Sequence, residues 1–91
     1  MVKRKIALLG ATGSIGKSTI SVIEEQSALL EPVLVSAHTD YKSLINLSAG
    51  YPDAILCLTG ISNSSEELRI RALIPKRKIY FGEEELLKLL R

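Results

Sequence analysis

Ile6-Ala7-Leu8-Leu9-Gly10-Ala11-Thr12-Gly13-Ser14-Ile15-Gly16-Lys17-Ser18-Thr19 is the stretch on which the fold turns. It starts as an apolar run and breaks into glycines. It then resumes at helical spacing, with Ile15, Thr19, Val22 and Ile23 on one face. Strand, glycine turn, helix is the order that sets free backbone N–H groups in front of a phosphate. A side chain in such a turn would hold a diphosphate away from the backbone. Ser14 falls where a helix N-cap belongs, with a hydroxyl able to donate to a phosphate oxygen.

Two patterns overlap here. Gly10, Gly13 and Gly16 spell G-x-x-G-x-x-G, a variant of the dinucleotide fingerprint, while Ala11 to Ser18 spell A-x-x-x-x-G-K-S, one glycine short of a nucleoside-triphosphate P-loop. Both are phosphate sites. The plain alternative is a strand-to-helix turn that binds nothing, and three glycines at this spacing directly after a strand weigh against it.

Outward from the loop, the chain alternates. The first strand is expected over 5–9, continuously apolar as suits a strand covered on both faces. The first helix is expected over 14–26, with Leu29 and Leu30 tucked under the sheet beyond it. Pro32 admits a second strand over 33–37, and His38-Thr39-Asp40 is the loop at its carboxyl end. Tyr41, Leu44, Ile45 and Ser48 are spaced as one helix face behind an Asp40 N-cap. A third strand is expected over 54–58. Ser64 and Glu67 form a capping-box pattern opening a helix that carries Leu68, Ala72 and Leu73. A short fourth strand over 78–81, a Gly82 turn and an acid-led helix from Glu83 complete the chain. The reading is α/β: a partial doubly wound, Rossmann-type parallel sheet, βαβαβαβα, in strand order 4-3-2-1, forming one domain over 1–91.

Bulk properties narrow the function. The chain has 91 residues, enough for one small core, with 46% hydrophobic and 24% charged residues. A net charge of +2 is too small to argue for nucleic acid or an anionic membrane. Lys3-Arg4-Lys5 reads as a solvated strand entry, no stretch spans a bilayer, and no signal peptide is expected. The one cysteine, Cys57, allows no internal disulfide, reads as core, and makes the cytoplasm the default compartment.

A triphosphatase needs an acidic residue at a later strand tip to hold Mg²⁺. The third strand ends Leu58-Thr59-Gly60 and the fourth Phe81-Gly82, with no carboxylate at either tip. Lys17 then reads as an exposed first-turn lysine. For a dinucleotide, the tip of the second strand decides the ribose contact. No acid sits there. His38 and Thr39 both offer donors to a 2′-phosphate, and Asp40 is near unless it caps the next helix.

Several segments resemble one enzyme family. Leu9-Gly10-Ala11-Thr12-Gly13-Ser14-Ile15-Gly16, with Thr19 and Val22-Ile23, resembles the amino terminus of the 1-deoxy-D-xylulose 5-phosphate reductoisomerases. Val35-Ser36-Ala37-His38-Thr39 resembles their second-strand tip, and Gly82-Glu83-Glu84-Glu85-Leu86-Leu87 the segment after their fourth strand. The resemblance implies an NADPH-dependent enzyme of the non-mevalonate isoprenoid pathway, converting deoxyxylulose phosphate to methylerythritol phosphate. It implies that Thr12, Gly13, Ser14 and Ile15 bind the NADPH diphosphate, within the Gly10 to Gly16 loop. It places His38, Thr39 and Asp40 at the adenosine phosphate. The family often has lysine and asparagine where this chain has Thr39 and Asp40. Its divalent metal ligands (Mg or Mn) and substrate-phosphate contacts lie beyond the matched region. The chain is therefore expected to be a fragment, the cofactor-binding front of such an enzyme. On that resemblance it is expected to carry neither catalytic nor metal-binding residues and to be inactive alone. Other readings are a stand-alone nucleotide-binding or sensing module, a P-loop protein using Ala11 to Ser18, and a ligand-free remnant. The apolar edge of the first strand and the Leu86-Leu87-Lys88-Leu89-Leu90 end predict self-association.

Overall fold

Strands and helices alternate through the computed structural model as β1 (Arg4–Leu8), α1 (Ser14–Glu25), β2 (Leu30–Ala37), α2 (Tyr41–Ser48), β3 (Ile55–Leu58), α3 (Ser64–Leu73), β4 (Ile79–Phe81) and α4 (Glu83–Leu89). The structure describes residues 4–11, 13–26 and 28–90, with the backbone alone for 14–17, 19 and 20. Thr12, and the Lys3 of the basic start, lie outside the described residues. So do the side chains of Ser14, Ile15, Lys17 and Thr19.

The four strands form one sheet in the order β1-β2-β3-β4, every neighbouring pair parallel. This is the expected 4-3-2-1 order read from the other edge, a Rossmann-type half-sheet. Leu8 pairs with Val35, Ala37 with Leu58, and Leu58 with Phe81. That register brings the carboxyl ends of all four strands to one edge of the sheet. The turns that leave them, at Leu9, His38, Thr59 and Gly82, gather there.

Burial grades across the sheet. Val35, Leu56, Cys57 and Leu58 of the two central strands are fully enclosed. Leu44 of α2, Ile70 of α3, Ile23 of α1 and Ile79 of β4 close over them. In β1 only Leu8 is buried, so the expected cover on both faces is not found along that strand. Among the described residues β1 has a neighbour on one side only, which leaves its apolar run half clothed.

Three local expectations are corrected. First, β2 starts three residues before the expected Val33, running through Pro32. Pro32 pairs with Ile6, the register slips between Ile6 and Ala7, and β3 joins only at Leu34. A proline with no N–H to give is tolerated where the ladder is one-sided and irregular. Leu30 thereby becomes a strand residue packed on the core, while Leu29 is exposed. Second, α3 is capped by Asn63 rather than by Ser64. Asn63 Oδ1 accepts from the N–H groups of Ser65 at 2.8 Å and Glu66 at 3.2 Å. Third, Leu68 and Leu73 of α3 are exposed, and Ile70 is the buried residue, with Ile74 partly buried four positions on. On α1, Ile23 is buried as expected but Val22 is exposed. Asp40 does cap α2, its Oδ1 accepting from Ser43 N–H at 3.1 Å.

Candidate functional site

The glycine loop starts from a tight turn. Gly10 has φ +64°, a left-handed conformation that costs any residue with a Cβ. The turn is then pinned to the neighbouring strand. Ala11 N–H donates to the carbonyl of Ser36 at 2.8 Å, and Gly10 N–H donates to the Ser36 hydroxyl at 3.3 Å. Ser36 is buried at the end of β2, so its hydroxyl serves the loop and not solvent. Gly13 N–H donates back to Gly10 O at 3.1 Å.

Gly13, not Ser14, occupies the N-cap position of α1, with φ −79° and ψ 172°. That extended conformation is the one an N-cap requires. Glycine brings no side chain to cap the amides that follow, and Ser14 becomes the first helical residue. The opening N–H groups of α1 thus face the carboxyl edge of the sheet with no side-chain cap from Gly13, the arrangement that favours an anion.

The second cluster is the β2 tip. His38, Thr39 and Asp40 are all exposed. The Asp40 carboxylate is engaged at the start of α2, and Thr39 O accepts from Tyr41 N–H at 2.8 Å. His38 Nδ1 lies 3.3 Å from Thr59 Oγ1. Gly60 N–H donates to His38 O at 2.7 Å. A cavity of about 320 Å³ is lined by Gly10 of the loop and His38 of the tip, with Ser36, Thr59 and, from α4, Glu83 and Leu86; Gly13, Thr39 and Asp40 do not line it. Its rim includes the exposed Leu9 and Leu87.

Ser36, Thr59 and Gly60 were not picked out as site residues from the sequence. Only their position at strand ends, next to Ala37-His38 and Leu58, marks them. Two larger cavities lie elsewhere. One of about 330 Å³ at the opposite end of the sheet is lined by Ile23, Leu30, Tyr51 and Asp53. One of about 640 Å³ between α2 and α3 is lined by Lys42, Ile45, Arg69 and Leu73. Neither touches the glycine loop.

Cys57 is fully buried in β3. Burial pushes its thiol up, and the Glu85 carboxylate adds to this, so little of it is the nucleophilic thiolate. This agrees with the reading of Cys57 as core. Among the described residues, no three His, Cys, Asp or Glu side chains gather as they would around a metal ion. No helix among them is long and apolar enough to cross a membrane.

A parallel sheet whose first βα turn is a glycine loop, beside a polar second-strand tip, defines the first half of a doubly wound nucleotide-binding fold. The chain belongs to the 1-deoxy-D-xylulose 5-phosphate reductoisomerase family, whose sequence model matches residues 6–91. The reductoisomerase of Phocaeicola vulgatus is 31% identical over 88 residues, which cover 93% of this chain and 22% of that protein. That of Vesicomyosocius okutanii is 46% identical over 48 residues, 53% of this chain and 12% of that protein. Among solved structures, the Zymomonas mobilis reductoisomerase in complex with NADPH superposes with a TM-score of 0.78 at 23% identity, covering 96% of this chain and 23% of that one. A reductoisomerase in complex with NADPH, fosmidomycin and magnesium superposes at 0.80 with 21% identity. These superpositions carry the fold. The chain spans at most about a quarter of the length of the relatives it matches.

Proposed function

We propose that this chain binds NADPH at the carboxyl edge of its sheet, as the cofactor-binding part of an enzyme that converts deoxyxylulose phosphate to methylerythritol phosphate. The observation that carries the reading is the left-handed turn at Gly10 running into an α1 whose cap is a bare glycine, on the edge where His38 also lies. In this reading the loop from Gly10 through Thr12, Gly13, Ser14 and Ile15 to Gly16 takes the diphosphate. His38, Thr39 and Asp40 take the adenosine ribose and its phosphate. The divalent ion belongs to the full-length enzyme. The cytoplasm is the compartment, and nucleic acid is not a partner, which the small net charge supports.

Titration of the chain with NADPH, NADH and Mg-ATP tests this. Saturable binding of the dinucleotides is expected; Mg²⁺-dependent ATP binding without them would instead support the P-loop reading of Ala11 to Ser18. The β2 tip sets the choice between dinucleotides. Thr39→Lys is expected to raise affinity for NADPH relative to NADH about fivefold, by placing a cation at the 2′-phosphate. An unchanged ratio would remove the β2 tip from the site.

The β1 edge supports a second property. Arg4 to Leu8 offer a strand edge that, among the described residues, has no neighbour beyond it. Such an edge is a template for pairing with another chain. The 91-residue chain is expected to sediment as dimers or larger species; a monomer persisting at high concentration would contradict this.

A further inference from the structure

The groove between α2 and α3 carries a pattern that recurs, with the charge reversed, on α4. Its cavity of about 640 Å³ is walled by Lys42, Ile45 and Asn46 of α2 and by Arg69 and Leu73 of α3. On α2 the cation precedes the apolar residue by three positions, and on α3 by four. Each wall therefore offers a positive end and, one helical turn on, an apolar one. The two helices run the same way, since each carries the chain back between parallel strands. Leu73 is 59% exposed. Among the described residues Lys42 makes no ion pair, and Arg69 has only Glu66 of its own helix, at 3.9 Å.

The complement lies on α4. Glu83, Leu87 and Leu90 follow one another at i, i+4 and i+7, a single stripe with an acid at its start and leucines behind it. Leu87 is 61% exposed and Leu90 46%, and Glu83 makes no ion pair among the described residues. Laid parallel to α2 and α3, this stripe sets Glu83 against Lys42 and Arg69, and Leu87 against Ile45 and Leu73. Within one chain that contact does not form, because α4 packs on β4 and lines the separate cavity at the carboxyl edge of the sheet.

We infer that the groove between α2 and α3 is a docking surface for α4 of a second copy of this chain. The contact joins two different surfaces, so it is head-to-tail and distinct from strand pairing at the β1 edge. It does not rest on the dinucleotide reading.

Two variants take the contact apart. Lys42→Glu with Arg69→Glu reverses the groove and leaves α4 intact. Glu83→Lys with Leu87→Ser spoils α4 and leaves the groove intact. All four side chains are exposed, so both variants are expected to keep the wild-type circular dichroism spectrum. The α4 variant is ¹⁵N-labelled, and the amides of its groove are followed while an unlabelled chain is added. The unlabelled groove variant brings an intact α4, and is expected to shift the amides of Lys42, Asn46 and Leu73 to saturation. The unlabelled α4 variant is expected to bind the same groove about tenfold more weakly, since it opposes cation to cation and has lost the leucine. Groove amides that stay still in the first mixture overturn the inference, and so do equal affinities in the two mixtures. The β1 edge is unaltered in every chain, so pairing there acts alike in both mixtures and does not imitate the difference.

Discussion

Gly13→Val is expected to weaken NADPH binding about 100-fold, or about 3 kcal/mol, while the circular dichroism spectrum stays nearly intact and the melting temperature falls only by the small amount that a poorer N-cap costs. The two halves of that expectation have separate causes. Gly13 has an ordinary negative φ in extended backbone, and a Cβ there would meet only Gly10 O, at 3.6 Å. Valine is β-branched and at home in extended backbone, so the fold accommodates it. The branched side chain instead fills the space in front of the first N–H groups of α1, where the proposed site takes the diphosphate. Binding that survives the change would show that the diphosphate lies elsewhere. Gly10→Val makes the contrast. No atom crowds a Cβ at Gly10, but φ +64° is strained for valine, so that change lowers stability first.

The second large effect is expected far from the loop. The Arg77 guanidinium donates to three backbone carbonyls, Ser48 O at 3.2 Å, Tyr51 O at 2.9 Å and Ala54 O at 3.1 Å. It thereby ties the segment between α2 and β3 to the one between α3 and β4. Arg77→Ala removes charged donors from all three in a partly buried place, leaving Ser48 O and Tyr51 O with only their backbone donors, Tyr51 N–H and Ala54 N–H. The cost is about 3 kcal/mol, a large share of the roughly 5–15 kcal/mol that holds a domain together. The melting temperature is expected to fall by about 15 °C. Arg77→Lys restores only part of this, since an ammonium lacks the planar fork that reaches several carbonyls at once. NADPH affinity, measured well below the melt, stays within about twofold of wild type. A fall of less than about 3 °C would show that water replaces the guanidinium at these carbonyls.

Arg77 also shows where the sequence stops being informative. It is a lone arginine after Pro75-Lys76, with no partner implied by spacing, because its three acceptors belong to backbone more than twenty residues earlier. Contacts of that range are set by the fold and carry no local pattern. The same holds for Thr59 and Gly60. Their place beside His38 exists only because β3 lies beside β2 with Ala37 opposite Leu58. What is local was legible. The glycine loop, the alternation of apolar runs with helical spacing, and the Asp40 cap each follow from a few neighbouring residues, and strictly alternating elements imply the strand order.

The failures have equally local causes. Asn63 and Ser64 are adjacent and both are good N-caps, so which one caps depends on where the chain leaves β3 and Ile61 is buried. Leu68 and Leu73 mislead on α3 because that helix is mostly polar and offers only a narrow apolar stripe. Ile70 and Ile74 hold that stripe, and Arg71 lies between them, donating to Ile79 O and stacking over Phe81. Pro32 reads as a boundary, yet it sits inside β2 where the ladder has a partner on one side only.

Amide chemical-shift mapping of the ¹⁵N-labelled chain during an NADPH titration tests the central claim most directly. The largest changes are predicted at Gly10, Gly13 and the first turn of α1, and at His38, Thr39 and Gly60, with saturation at one equivalent. Changes gathered instead at Ile23, Tyr51, Asp53 and Ala54 around the opposite cavity, or at Lys42, Asn46 and Arg69 between α2 and α3, would contradict a site at the carboxyl edge of the sheet.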